Sequence, residues 1–155
     1  MDFKAKQQMI EDIGAEVQDL HPLLKSVLGK LENIKGVEYT HGTQEKGADF
    51  VLTRFDPALG SFSYIGVMVK KGKITNDITD VSRQIEECAL PRLLEGGKRK
   101  ERLSEVWVIN TSTISSNAKD KIFDQYTKQR IEFIDGFKLT QLVDKHADFF
   151  WHQVP

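Results

Sequence analysis

The chain has 155 residues, with 39% hydrophobic and 29% charged side chains, and its formal net charge is -1. These values are typical of one globular domain and exclude a protein that coats nucleic acid through bulk positive charge. No apolar run approaches the roughly 18 residues that a membrane-spanning helix needs, and the amino terminus has no signal-peptide core.

The first third of the chain has the apolar periodicity of a helix. Apolar side chains recur on one helical face, at Ile10, Ile13, Val17, Leu20, Leu24, Val27, Leu28 and Leu31. Pro22 lies within this pattern and predicts either a kink or the start of a second helix. A short strand at 36–40 and a polar turn at 41–46 are expected next.

Two longer strands are predicted at 49–54 and 62–70. Turn-forming residues at 56–60 separate them, so the two strands are expected to pair as an antiparallel hairpin. Strand side chains two positions apart share a face, so Gly66, Met68 and Lys70 are predicted to point the same way. This pairing would bring Asp49 close to Lys70.

The second half of the chain alternates helices and strands. Helices are predicted at 80–94, 115–127 and 138–150, and apolar strands at 106–109 and 130–134. Thr79 or Asp80 is expected to cap the first of these helices, and Ser115 or Ser116 the second. Gly96 and Gly97 are expected to end the first helix. The order predicts an α/β domain over residues 1–155, with a mixed sheet flanked by helices.

Asp49 and Lys70 are the residues with the clearest chemical meaning. Hydrolysis of a phosphodiester needs an acid that holds Mg²⁺, which polarises the phosphate and activates water. A neighbouring lysine can orient that water or stabilise charge that develops on the phosphate. An acid and a lysine on adjacent strands therefore indicate a metal-dependent nuclease.

The same residues resemble those of the PD-(D/E)xK nuclease superfamily, which has the restriction-endonuclease-like fold, and especially its Mrr-like branch. The resemblance includes Gly47-Ala48-Asp49, then Met68-Val69-Lys70 and Gly72-Lys73-Ile74. It continues through Ser82-Arg83-Gln84-Ile85, the strand at 106–109 with Asn110-Thr111, and Phe133-Ile134-Asp135-Gly136. It covers roughly residues 5 to 148, and the order of elements is more specific than any one motif.

The resemblance implies an αβββαβαβα core and a DNA-cleaving enzyme, with roles in defence against foreign DNA, restriction or repair. Asp49 would be a metal ligand, Lys70 the catalytic lysine, and Val69 would offer its backbone carbonyl to Mg²⁺ or Mn²⁺. Met68 stands where such enzymes carry Glu or Gln, and a soft, uncharged thioether is a poor ligand for Mg²⁺.

Three interpretations of Met68 remain open. The missing oxygen ligand can come from elsewhere, with Glu16, Gln84 and Glu87 as candidates. Alternatively, Asp49 and the Val69 carbonyl support a weak or partner-assisted site. In the third interpretation the domain has lost catalysis and keeps a role in binding DNA, binding a partner protein or oligomerisation.

Local clusters of positive charge predict contacts with nucleic acid. The candidate residues are Lys71, Lys73, Lys98, Arg99 and Lys100. DNA is the expected partner, together with a homodimer or higher oligomer and an additional domain or partner protein. The single cysteine, Cys88, permits no internal disulfide and predicts a cytoplasmic protein.

Overall fold

A mixed five-stranded sheet forms the centre of the computed structural model, which describes residues 1–40 and 47–153. Its strands are β1 (Ile34–Tyr39), β2 (Phe50–Asp56), β3 (Ser61–Lys70), β6 (Glu105–Asn110) and β7 (Arg130–Ile134), while β4 (Arg92–Leu94) and β5 (Arg99–Glu101) form a separate hairpin. The spatial order is β1-β2-β3-β6-β7. The first three strands pair antiparallel, whereas β3, β6 and β7 run parallel.

Helices cover both faces of this sheet. They are α1 (Phe3–Glu11), a π-helical turn (Glu16–Leu20), α2 (His21–Leu28), α3 (Thr79–Cys88), α4 (Ser116–Gln125), α5 (Gly136–His146) and a 3-10 turn (Asp148–His152). The predicted order of helices and strands is therefore confirmed. Among the described residues, no helix is long and apolar enough to cross a membrane.

Two apolar clusters pack on opposite faces of the sheet. The first contains side chains of α1, α2 and α5 together with Ile65, Val67 and Val69 of β3. The second contains side chains of α3 and α4 together with Tyr64 and Met68 of β3. The predicted alternation along β3 is confirmed, and β3 is buried on both sides, as a central strand requires.

The predicted helix at 80–94 is wrong in its second half. Helix α3 ends at Cys88, because Pro91 has no amide hydrogen and disfavours a helical residue before it. The chain then forms the β4–β5 hairpin. Its turn contains Glu95, Gly96 and Gly97, all at positive φ, so the two glycines serve the hairpin turn instead of ending a helix.

Several helix ends also differ from the predictions. The apolar stripe of the first third is divided among α1, the π-helical turn and α2, and Val17 is 47% exposed instead of buried. Ile78, and not Thr79 or Asp80, is the N-cap residue of α3, and it makes no side-chain cap bond. The helix predicted at 138–150 stops at His146.

The cap at Ser115 is confirmed, since its side chain accepts a hydrogen bond from the Ala118 amide. Asp135 caps α5 in the same way, through the Lys138 amide, so α5 begins at Gly136. The predicted polar turn at 41–46 lies outside the described residues.

Candidate active site

Asp49 lies in a bend directly before β2. Phe50 is the registered partner of Val67, yet the Asp49 amide also donates to the Val67 carbonyl at 2.8 Å. Ala48 and Val51 both belong to the second apolar cluster although they are an odd number of residues apart. Asp49 forms a bend directly before β2, and this bend redirects its side chain.

The redirected Asp49 carboxylate reaches across to the end of β3. Its Oδ2 accepts a hydrogen bond from the Val69 amide at 2.8 Å, and the residue is only 3% exposed. The N–H and C=O of one strand residue point toward the same neighbouring strand. The Val69 carbonyl therefore lies on the Asp49 side, beyond Phe50–Val67, which is the last paired position of β2 and β3.

Lys70 ends β3 on the face that carries Met68. Lys70 is half-buried, while Met68 is completely buried within the second apolar cluster. The structure therefore brings Asp49, Val69 and Lys70 to one end of the sheet. The Met68 side chain contributes apolar packing there and offers no oxygen atom.

Helix α3 crosses this end of the sheet against Gly47. A Cβ added to Gly47 would lie 2.1 Å from the Gln84 carbonyl oxygen and 3.0 Å from the Glu87 Cβ, and Gly47 has φ of +85°. Only a residue without a side chain fits this close approach and this backbone conformation. Gly47 thus sets the distance between α3 and the segment that carries Asp49.

Gln84 faces inward from α3. It is 4% exposed, and its Oε1 is buried with no hydrogen-bond partner among the described residues. The first turn of α3 lines a cavity with Lys70, whereas Gln84 lies one turn later, at the level of Gly47.

Glu87 does not face inward in the same way. Its Oε1 pairs with Arg83 at 2.9 Å, one turn earlier on the exposed side of α3. Cys88 lies deeper, and burial raises the pKa of its thiol to about 12, although the nearby Arg92 opposes the increase. Burial therefore favours the thiol over the nucleophilic thiolate.

Glu16 lies near the end of β3 but is tied to its backbone. Its Oε1 accepts from the Lys71 amide at 3.3 Å, and the Lys71 ammonium donates to the Gly14 carbonyl at 3.0 Å. These two bonds fasten the π-helical turn to the residue that follows Lys70. Glu16 thus acts as an anchor for this end of the strand.

The predicted nucleic-acid contacts divide into two separate groups. Lys70, Lys71 and Lys73 line a surface cavity of about 380 Å³ at the first turn of α3, together with Asp77 and Asp80. An Asp77 oxygen accepts from the Thr79 amide, and the Thr79 hydrogen bonds keep the pKa of Asp77 below its usual value.

The other basic residues, Lys98, Arg99 and Lys100, lie on the β4–β5 hairpin. The Arg99 guanidinium stands 6.0 Å from the ring centre of Tyr64. Tyr64 precedes Lys70 by six residues on β3, which corresponds to roughly 20 Å along the strand. The hairpin therefore forms a second basic surface, apart from the Lys70 cavity.

The sequence analysis missed a hydrogen-bond network beneath Lys70. Asn110 ends β6 in register with Lys70, and its Nδ2 donates to the Gly72 carbonyl at 2.8 Å and to the Thr113 carbonyl at 3.0 Å. Thr111 Oγ1 accepts from the Gly72 amide at 2.8 Å. Polar residues directly after an apolar strand, here Asn-Thr-Ser, are the signal that could have indicated it.

The oxygen atoms at this site fit a hard cation. The Asp49 carboxylate, the Val69 carbonyl and the unpartnered Gln84 Oε1 are all ligand types that Mg²⁺ accepts, and Mg²⁺ commonly needs only one or two carboxylates. Within the described residues, no group of three or more His, Cys, Asp or Glu side chains could hold a metal ion. Any such site among these residues would thus rely on amide or backbone oxygens beside Asp49.

The sheet order, the flanking helices and the acid and lysine at the end of β3 define the class of fold, which is restriction-endonuclease-like. The chain is similar to the solved structure of the MspJI restriction endonuclease in complex with a 27-mer oligonucleotide, with a TM-score of 0.55 and 16% sequence identity. The match covers 96% of this chain and 33% of that chain, so this chain spans about a third of that enzyme. No protein-family model and no curated protein matches the sequence.

Proposed function

We propose that this chain is a Mg²⁺- or Mn²⁺-dependent nuclease domain that hydrolyses phosphodiester bonds of DNA in the cytoplasm, in restriction, defence or repair. The observation that carries the proposal is the 2.8 Å bond from the Val69 amide to Asp49 Oδ2. It holds a carboxylate against the strand end that presents Lys70. The likeness to a restriction endonuclease solved with an oligonucleotide supports DNA as the substrate.

Each residue has a distinct role in this proposal. Mg²⁺ bound beside Asp49 would polarise the phosphodiester and lower the pKa of the attacking water. Asp49, the Val69 carbonyl and Gln84 Oε1 would hold the cation, so that Gln84 supplies the oxygen ligand that Met68 lacks. Lys70 donates hydrogen bonds to the water or to a phosphate oxygen, and Lys73 attracts the flanking backbone of the nucleic acid.

Plasmid nicking tests the role of Lys70. Lys70→Ala is expected to lower the Mg²⁺-dependent nicking rate by about a hundredfold or more, because one preorganised donor is lost. Lys128→Ala removes an exposed lysine in the loop between α4 and β7, and it should leave the rate unchanged. Equal rates for the wild type and Lys70→Ala would show that Lys70 has no catalytic role.

Gln84→Leu tests whether the amide oxygen replaces the missing acid. Gln84→Leu removes a buried oxygen that has no partner, so its free energy of unfolding should be equal to or higher than that of the wild type. Loss of that ligand should weaken Mn²⁺ binding, measured by calorimetry, by about tenfold or more.

Gln129→Leu is the matched control for Gln84→Leu, because Gln129 Oε1 is also buried without a partner and lies outside the site. Because Gln129 Nε2 donates to the Ile85 carbonyl at 3.5 Å, Gln129→Leu should lower stability slightly, and it should leave Mn²⁺ affinity unchanged. If Gln84→Leu binds Mn²⁺ as tightly as the wild type, Gln84 is not a ligand of the cation.

A second candidate function is a nuclease-fold module that binds DNA or a partner protein without cleavage. Complete burial of Met68 in the apolar cluster favours it, since that position offers no oxygen to a metal. Calorimetry that detects neither Mg²⁺ nor Mn²⁺ binding, together with retained DNA binding, would support this candidate over the nuclease.

A further inference from the structure

Asn110 is a completely buried polar residue at the same sheet end as Lys70. Its two Nδ2 hydrogens are both used, for the carbonyls of Gly72 and Thr113. Its Oδ1 has no hydrogen-bond partner among the described residues. A buried acceptor without a partner costs about 1–3 kcal/mol, so such an atom in a folded protein calls for an explanation.

The donor hydrogens fix the orientation of this amide. The Gly72 and Thr113 carbonyls belong to the loops that follow β3 and β6, and the same loops are joined by the Ile74 amide to the Thr113 carbonyl at 3.0 Å. A flipped amide would place its oxygen against two carbonyls. The unpartnered atom is therefore the oxygen, and it needs a donor.

Lys70 is placed to supply that donor. Lys70 and Asn110 are registered partners on adjacent parallel strands, and the alternation of Met68 and Val108 into the second cluster puts both side chains on one face. Neighbouring strands are about 4.8 Å apart, so the flexible four-carbon stem of a lysine can bring its ammonium to the amide oxygen.

We propose that Asn110 is a positioning residue for Lys70, with Oδ1 as a hydrogen-bond acceptor that the Lys70 ammonium reaches by a change of side-chain rotamer. Through Nδ2 the same side chain fixes the turn at Gly72 that follows Lys70. Lys70 thus moves between a buried amide oxygen and the nucleic acid, instead of moving freely in solvent. This inference rests on the proposed role of Lys70 in cleavage.

The wild-type protein provides the first test, by NMR of its ¹⁵N-labelled lysine ammonium groups, with the Lys70 signal assigned through Lys70→Arg. The Lys70 ammonium should exchange its hydrogens with water more slowly than that of Lys73, which is exposed in the same cavity. Exchange of Lys70 as fast as that of Lys73 would overturn the proposal, because Oδ1 would then be satisfied by other means, such as a buried water.

Asn110→Ala provides the second test, because it removes the acceptor Oδ1. The Lys70 ammonium should then exchange its hydrogens with water as fast as that of Lys73, while the exchange rate of Lys73 should stay the same. Slow exchange of the Lys70 ammonium that persists in a folded Asn110→Ala protein contradicts the proposal. Neither NMR measurement depends on cleavage, so failure of the proposed function and failure of this inference give different results.

Discussion

Replacing Asp49 by asparagine is expected to abolish Mg²⁺-dependent DNA cleavage while the chain stays folded. Asparagine keeps a side-chain oxygen for the Val69 amide, now bonded at 2.8 Å, but removes the negative charge that holds the cation. Loss of the charge should lower the nicking rate by about a thousandfold or more, at the upper end of single-group electrostatic effects. Single-turnover plasmid cleavage measures this rate.

Thermal unfolding separates loss of the metal site from loss of the fold. Mg²⁺ at millimolar concentration should raise the Tm of the wild type but not that of Asp49→Asn, because a ligand stabilises only the protein that binds it. Asp124→Asn, at an exposed position of α4, should behave like the wild type in both assays. Full activity of Asp49→Asn would exclude Asp49 as the metal ligand.

Gly47→Ala is expected to cause the largest loss of stability among single glycine substitutions near the site. Alanine would require a strained positive φ of +85° and would bring its Cβ within 2.1 Å of the Gln84 carbonyl. Strain and overpacking together should lower the free energy of unfolding by about 3 kcal/mol. Urea unfolding measures this loss, which corresponds to a fall in Tm of roughly 10 °C.

Gly60→Ala isolates the strain part of this loss. Gly60 also has a positive φ, of +66°, but a Cβ there would meet no atom within 4 Å. It should cost about 1 kcal/mol, the ordinary penalty for a left-handed alanine. A Gly47→Ala protein no less stable than Gly60→Ala would show that α3 can move away from Gly47.

The sequence predicted the sheet well because its strands have strong alternation. Ile65, Val67 and Val69 face one apolar cluster and Met68 the other, as a period of two requires. The predicted helix at 80–94 is too long because amphipathic spacing does not represent the effect of Pro91, which has no amide hydrogen and disfavours a helical residue before it. Val17 was misplaced because the π-helical turn changes the angular step between side chains, which a period of 3.6 does not represent.

Only part of the candidate site follows from strand patterns. Strand pairing predicts that Asp49 lies close to Lys70, the role of Val69 is implied only by the resemblance, and the bend at Asp49 leaves no sequence signal comparable to a turn motif. The basic residues around Lys73 and those around Lys98 lie apart because Lys98 belongs to the β4–β5 hairpin. The sequence predicted a longer helix in place of the first strand of this hairpin. The role of Asn110 was not predicted because it depends on hydrogen bonds to two loops, at Gly72 and Thr113, whose positions the sequence does not give.

The burial of Met68 also limits how the site can change in evolution. A carboxylate introduced at this fully buried position would enter a dry, apolar cluster, at a cost of several kcal/mol unless a bound cation offset it at once. The reverse substitution, from an acid to methionine, carries no comparable desolvation penalty. A second acid at this position is therefore easier to lose than to regain.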